Sequence, residues 1–504
     1  MPHIQILLLF LLIFCTTPAL AEERTTTQQS DQTTAALPGI FSLIPADSIT
    51  NHVLQGPAGG TAYTATAGTI DLSGQDGKIK AKLFYTAYTM RGAQPNRPLT
   101  FAFNGGPGAA SAYLHLGLLG PKVLDFGPEG DDGSTPLLKD NPDSWLRFTD
   151  IVLIDPVGTG WSRAASSKDA EAFFGVTEDA ESLAKMIALY VKRNDRISSP
   201  KFLIGESYGG FRAAKVAAAL KDNQGLLISG MIMVSPLIEG RFVFGPDDDP
   251  LTNALLLPSL AAAELERKGR FEPDALVAAE DFAIRDYLVA LAGPPLLDDS
   301  ASSLYERIAD LTGLHVKAIA RTGGLISSIY AKHTGKEGKI ISPYDASYVS
   351  ADPYPEADYA RHNDPILDGF TRAYGGAFAS YASKDLGYDS ELTYTMLNQD
   401  VNRSWSWGRG RNEDGRLRAS AANDIRDLLS VIPTFRLMVA HGYSDAITPY
   451  GFSRYVLDHL PPMLADGRTS LNLYRGGHMF YTDPPQRRAF FDDAADFYAR
   501  TTSQ

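Results

Sequence analysis

The chain has 504 residues, a formal net charge of −13, 44% hydrophobic residues and one cysteine, Cys15. The acidic balance argues against nucleic acid or anionic membrane surfaces as partners. The length allows a large core built without disulfides, whereas a lone Cys15 near the N-terminus permits none.

Residues 1–21 read as a secretory signal. An apolar run is followed by Ala19-Leu20-Ala21, a small-residue cleavage site, before Glu22-Glu23. The run is too short to span a bilayer, and no later segment is long and apolar enough. An exported protein, periplasmic or secreted, is expected. Residues 22–48, rich in Thr, Gln and Ala, read as a flexible leader. Alternating residues from Thr61 to Met90, broken by Ser73-Gly74-Gln75-Asp76-Gly77, predict an antiparallel hairpin.

Leu99-Thr100-Phe101-Ala102-Phe103 predicts a buried strand, which opens into the loop Asn104-Gly105-Gly106-Pro107-Gly108. Thr177 is a candidate N-cap for a helix with Leu183, Ile187, Tyr190 and Val191 on one face. Lys201-Phe202-Leu203-Ile204 predicts another strand, Gly205-Glu206-Ser207-Tyr208-Gly209-Gly210 a sharp turn, and Phe211 to Leu220 a helix. Strand, Gly-x-Ser-x-Gly, helix is the pattern of a nucleophile elbow. Glycines flank the serine because the turn leaves no room beside it, and the helix N-terminus favours developing negative charge.

Between about 240 and 425 the strand–helix alternation fades. Pro258 to Lys268, Glu280 to Ala292 and Ser302 to Leu311 have helical character, followed by a stretch rich in Tyr, Asp, Pro and Gly. A lid inserted between two halves of a sheet is expected. Trp405, Trp407 and the tyrosines near 344–359 are candidates for lid core or for the lining of a pocket. The sheet resumes at Phe435 to Ala440, which runs into His441-Gly442-Tyr443-Ser444-Asp445, and at Ser470 to Tyr474, which ends in Arg475-Gly476-Gly477-His478.

A nucleophilic serine needs a base, and the base an orienting acid, in the chain order Ser, Asp, His. Ser207 as nucleophile, His478 as general base and acid, and Asp445 as orienter satisfy that order. His441 is the strongest competitor to His478. With Asp445 it imitates a metal pair, but no third ligand lies at zinc-site spacing, so neither metal nor cofactor is expected. The backbone N–H of Tyr208, after the nucleophile, and one from the glycine loop are candidate oxyanion donors.

These motifs together resemble the serine carboxypeptidases. Asn104-Gly105-Gly106-Pro107-Gly108, Asn141-Pro142-Asp143-Ser144-Trp145, Asp155-Pro156-Val157-Gly158-Thr159-Gly160-Trp161-Ser162, Gly205-Glu206-Ser207-Tyr208-Gly209 and Gly477-His478-Met479 stand in the family's order. The resemblance implies an α/β-hydrolase fold and removal of single residues from peptide C-termini. It places Gly106 and Tyr208 at the oxyanion hole, and Asn104 and Glu206 at the site that binds the substrate carboxylate. Two carboxylates hydrogen-bond only if one carries a proton, so such a site favours acid or a Glu206 with a raised pKa. The chain departs from the pattern at Ala102, where the family has Trp, at Leu118, where it has Glu, and at Ala109-Ala110-Ser111, where it has Cys-Ser-Ser.

The expected layout is a signal at 1–21, a leader at 22–48, an α/β core at 49–240 and 431–504, and a lid at 241–430. The expected activity is a serine-type carboxypeptidase acting on peptides. An esterase, amidase or acyltransferase using the same triad is the alternative. The sequence sets no oligomeric state; a homodimer is compatible with it.

Overall fold

The computed structural model describes residues 39–55, 60–126, 133–334, 338–360, 364–408 and 412–503. The signal at 1–21 lies outside them, as do residues 22–38 of the leader. Within the rest of that stretch, Gly39–Leu43 forms a 3-10 turn that buries Phe41, and a strand begins at Ser48. Among the described residues no helix is long and apolar enough to cross a membrane.

A ten-stranded sheet organises the chain. Its strands are β1 (Ser48–Leu54), β2 (Thr61–Ser73), β3 (Ile79–Met90), β4 (Leu99–Phe103), β5 (Asp150–Ile154), β6 (Arg163–Ala164), β7 (Lys201–Glu206), β8 (Gly230–Val234), β9 (Arg436–Gly442) and β10 (Thr469–Tyr474). They lie in the order β1-β2-β3-β5-β4-β7-β8-β9-β10, with the short β6 paired to β3. β1 to β3 are antiparallel, and β3 meets β5 antiparallel. From β5 to β10 every neighbour is parallel. The hairpin expected over Thr61 to Met90 is β2–β3. With the helices on its faces, this mostly parallel sheet is the α/β-hydrolase fold.

Successive residues of a strand point to opposite faces, and the central strands obey this with an apolar residue on both. In β7, Phe202 and Ile204 enter one core and Leu203 the other. Helix α1 (Val176–Arg193) and α2 (Tyr208–Ala219) cover the Leu203 face, and α8 (Pro484–Thr502) covers the opposite one with Phe490, Ala494 and Phe497. Burial on both sides explains why these strands read as continuous apolar runs. The cap of α1 is Gly175, not Thr177, which lies inside the first turn; the face with Leu183, Ile187, Tyr190 and Val191 is buried as expected.

The region after β8 has two parts. α3 (Pro250–Arg267), α4 (Asp298–Thr312) and the helical segments between them share a separate apolar cluster with Leu257, Leu260, Tyr287 and Ile308. α3 starts well before Pro258, because Asp249 accepts from Thr252 N at 2.7 Å and Pro250 fits the first turn; Pro258 lies inside the helix. Farther on, α5 (Ala373–Lys384) and α6 (Ala422–Val431) pack on the sheet itself. Tyr374, Phe378 and Tyr381 join one face, and Ile425, Leu428 and Leu429 the other. α7 (Tyr450–Asp458) follows the loop after β9.

Candidate active site

β7 leads straight into α2, and the residue between them is Ser207, at φ 61° and ψ −126°. A non-glycine residue in the left-handed half of φ space costs about 1–3 kcal/mol and persists only where its surroundings impose it. Here the Ser207 N–H donates to Val234 O at 2.9 Å, and its carbonyl accepts from Gly210 N at 2.9 Å and Leu237 N at 3.1 Å. Gly205 is dictated by the close approach of the helix: a Cβ there would stand 1.8 Å from the Gly209 carbonyl oxygen.

The glycine loop after β4 presses on this elbow. A Cβ on Gly105 would stand 2.6 Å from Tyr208 N, so only glycine lets the two backbones meet. Among the described residues, neither the Gly106 N–H nor the Tyr208 N–H has a protein acceptor. Both residues stand beside Ser207, and the helix adds its partial positive charge at Tyr208.

The loops after β9 and β10 bring Asp445 and His478 together. His478 Nδ1 lies 2.9 Å from Asp445 Oδ2. Asp445 Oδ1 accepts from the N–H groups of Ile447 at 2.9 Å and Thr448 at 3.0 Å, and Oδ2 lies 2.9 Å from Thr448 Oγ1. Burial pushes the Asp445 carboxyl up, but the charge of His478 and these bonds outweigh it and hold it below the usual range. Burial pushes the His478 ring down, and the Asp445 charge and hydrogen bond, with the Glu206 charge, raise it overall. His441 does not compete. Its Nε2 is 2.7 Å from Ser453 Oγ, the ring is fully buried, and burial pushes it down to about 4.

Asn104 and Glu206 meet in the wall of the cavity that Ser207 and His478 also line. Asn104 Nδ2 donates to Glu206 Oε2 at 2.6 Å, and the hydroxyl of Tyr481 donates to the same oxygen at 2.8 Å. Burial pushes the Glu206 carboxyl up, against the opposing charge of His478 and the two hydrogen bonds. Asn104 is itself fixed, its Oδ1 accepting from Leu114 N at 3.1 Å. Asn104, Gly106, Glu206, Ser207 and His478 line one cavity, whose remaining wall is largely apolar, with Tyr113, Tyr344, Leu367 and Met479. Among the described residues no group of three or more His, Cys, Asp or Glu side chains is arranged to hold a metal.

The sheet therefore brings together every site residue singled out in the sequence. Trp405 and Trp407 stand elsewhere, packed against the ring of Tyr208 at centroid distances of 5.5 and 5.4 Å. Tyr344, one of the tyrosines near 344–359 offered as pocket lining, does line the cavity, and its carbonyl accepts from His478 N at 2.6 Å. Two contributors escaped sequence reasoning. Tyr481 carries no spacing signal. Arg212 donates to Asp179 Oδ2 at 2.6 Å and to the Asn104 carbonyl. An arginine within the first turns of a Gly- and Ala-rich helix, beside the elbow serine, was the available signal for the last.

Residues 61–239 match the Peptidase_S10 family model, serine carboxypeptidase. Over these residues the chain is similar to the serine carboxypeptidases. Serine carboxypeptidase-like 44 of Arabidopsis thaliana is 30% identical over 167 residues, 32% of this chain and 32% of that protein. Serine carboxypeptidase-like 35 of the same plant is 32% identical over 158 residues, 31% of each. The matched region thus spans about a third of the length of these relatives. The crystal structure of Kex1(delta)p, a prohormone-processing carboxypeptidase from Saccharomyces cerevisiae, covers 86% of this chain and 91% of its own at 17% identity, with a TM-score of 0.56. That likeness extends the α/β-hydrolase fold beyond the matched serine carboxypeptidase segment to most of the chain.

Proposed function

We propose that the chain is an exported serine carboxypeptidase that releases C-terminal residues from peptides through an acyl-enzyme. One observation carries the reading: a single cavity joins Ser207 and His478, the latter bonded to Asp445, to the hydrogen-bonded pair Asn104–Glu206. A peptide whose last carboxylate sits on Asn104 and Glu206 presents its last peptide carbonyl to Ser207.

In this mechanism Ser207 Oγ attacks that carbonyl carbon while His478 Nε2 takes the hydroxyl proton. Asp445 keeps the other ring nitrogen protonated and stabilises the imidazolium. The oxyanion falls to the N–H groups of Gly106 and Tyr208, which have no competing protein acceptor to surrender. His478 then protonates the leaving amine, the terminal amino acid departs, and water activated by the same histidine resolves the ester. Glu206 reads the terminal carboxylate in its protonated form, which its burial favours.

A second reading, an esterase, amidase or acyltransferase on the same triad, is favoured by Ala102 and Leu118. Both are wholly buried apolar residues where the resemblance leads one to expect polar or aromatic partners for the carboxylate site. The deciding test compares an N-blocked dipeptide with the same dipeptide amidated at its C-terminus. Fast release from the free acid and slow release from the amide supports the carboxypeptidase. Equal rates, or cleavage of simple esters alone, supports the second reading.

A further inference from the structure

We propose that Tyr481 is a positioning residue of the carboxylate end of the cavity, its hydroxyl deciding which oxygen of Glu206 is available to a ligand. The inference rests on the carboxypeptidase reading above.

Tyr481 is wholly buried and lies in the short turn Phe480–Thr482, close behind His478 in the chain. Its hydroxyl donates to Glu206 Oε2 at 2.8 Å, the oxygen that also accepts from Asn104 Nδ2 at 2.6 Å. A carbonyl-type oxygen has two lone pairs, so two donors fill it. A proton on Glu206 therefore sits on Oε1 and is free to be donated to a carboxylate in the cavity that Glu206 lines. Without Tyr481, Oε2 keeps one donor, either oxygen takes the proton, and the acid no longer presents a fixed donor.

The fold makes room for this ring on purpose-shaped backbone. At Gly117 a Cβ would stand 2.7 Å from Tyr481 Cε2, so any larger residue displaces the ring. The other groups that act on Glu206 are the opposing charge of His478 and the like charge of Asp445. Around them stand Tyr113, Tyr344 and Tyr374, each raised mainly by burial and partly by the Glu206 charge, and so neutral. Because Tyr481 donates to the ionised form, it also opposes the upward push of burial.

The test uses the full-length enzyme and measures kcat/KM against pH for an N-blocked dipeptide and for an N-blocked amino-acid ester. In Tyr481→Phe the alkaline limb for the free-acid dipeptide moves up by about one pH unit, the effect of one hydrogen bond lost from a carboxylate, and its KM rises. The rising limb for the ester moves much less, since no carboxylate is read and Glu206 acts there only through its charge on His478. Gly117→Ala, which displaces the ring without touching Glu206, moves the free-acid limb in the same direction. Unmoved free-acid limbs in both variants, with the wild type still preferring free acid to amide, overturn the proposal while leaving the carboxypeptidase reading intact. A wild type without that preference sinks the reading instead. The infrared titration of the Glu206 carbonyl stretch, assigned by its loss in Glu206→Gln, then judges the pairing alone: a midpoint shifted in Tyr481→Phe supports it, and an unshifted one overturns it.

Discussion

The backbone N–H of His478 donates to the carbonyl of Tyr344 at 2.6 Å. The loop that carries the proposed base thus leans on a segment that belongs to neither half of the sheet. Gly477 is pinned there as well, since a Cβ on it would stand 2.2 Å from the same carbonyl oxygen. Next to Tyr344, Asp345 accepts from Ser347 N at 2.9 Å and Ser347 Oγ at 2.6 Å. Glu266 approaches from α3, accepting from Gly476 N at 3.3 Å and lying 3.9 Å from Arg475 Nε.

This contact carries a pH signature. Burial pushes the Asp345 carboxyl up to about 7, opposed by Ser347 and reinforced by the charges of Glu266 and Asp445. The unfolded chain releases that proton near pH 4. The carboxyl therefore adds stability in full below about pH 4, and loses it as pH rises to about 7. Asp345→Asn keeps the acceptor for Ser347 and removes the charge. It is expected to raise the melting temperature more at pH 8 than at pH 4.5. Equal shifts at the two pH values contradict the assignment.

The nucleophile gives the simplest expectation. Ser207→Ala removes one oxygen from a half-buried position, so the melting temperature stays within a few degrees of wild type. Turnover of peptide and ester falls by roughly four to six orders of magnitude, as when a member of such a triad is removed. Retained turnover on either substrate places the chemistry elsewhere.

Glu206 and His478 predict different pH profiles for different substrates. The Glu206 charge raises the affinity of His478 for a proton, and the His478 charge lowers that of Glu206, so the pair titrates together. Ester hydrolysis needs neutral His478, and its rate rises with pH through the histidine and then holds. Cleavage of a free-acid dipeptide also needs a proton on Glu206, and it falls again as that proton leaves. The expected result is a bell for the peptide, shifted to the acid side, against a single rising limb for the ester. Glu206→Gln, which donates at every pH, is expected to flatten the falling limb. Parallel profiles for both substrates count against a protonated Glu206.

The sheet was largely legible from the sequence because strands buried on both faces write themselves as apolar runs, as Phe202 to Ile204 and Leu437 to Ala440 do. The site was legible because its glycines answer to backbone contacts: Gly105 meets Tyr208 N and Gly205 meets the Gly209 carbonyl. What escaped is what depends on long-range packing. Tyr481 acquires its role only when the turn after His478 folds under Glu206. Tyr344 is one of the tyrosines near 344–359 that the sequence offers as pocket lining, but which of them reaches the cavity is decided only when the region after β8 returns to β10. Pro258 misled because a proline usually marks a helix start, whereas here Asp249 caps the helix two turns earlier.

Arg212 supplies the remaining prediction. It is wholly buried on α2, donates to Asp179 on α1 and to the Asn104 carbonyl, and lies with its guanidinium carbon 5.0 Å from the Tyr208 ring centroid. One side chain thus ties the nucleophile helix to the glycine loop. Asp179 is buried too, and burial pushes its carboxyl up against the pull of Arg212. Arg212→Met strands that acid and is expected to cost about 3–5 kcal/mol in urea unfolding. Adding Asp179→Leu removes the stranded charge and is expected to recover most of the loss. Turnover behaves differently. The double variant regains stability without regaining a tether on the Asn104 carbonyl, so its kcat/KM for peptide stays well below wild type. Full recovery of turnover with stability would mean that the Arg212–Asn104 contact has no part in shaping the site.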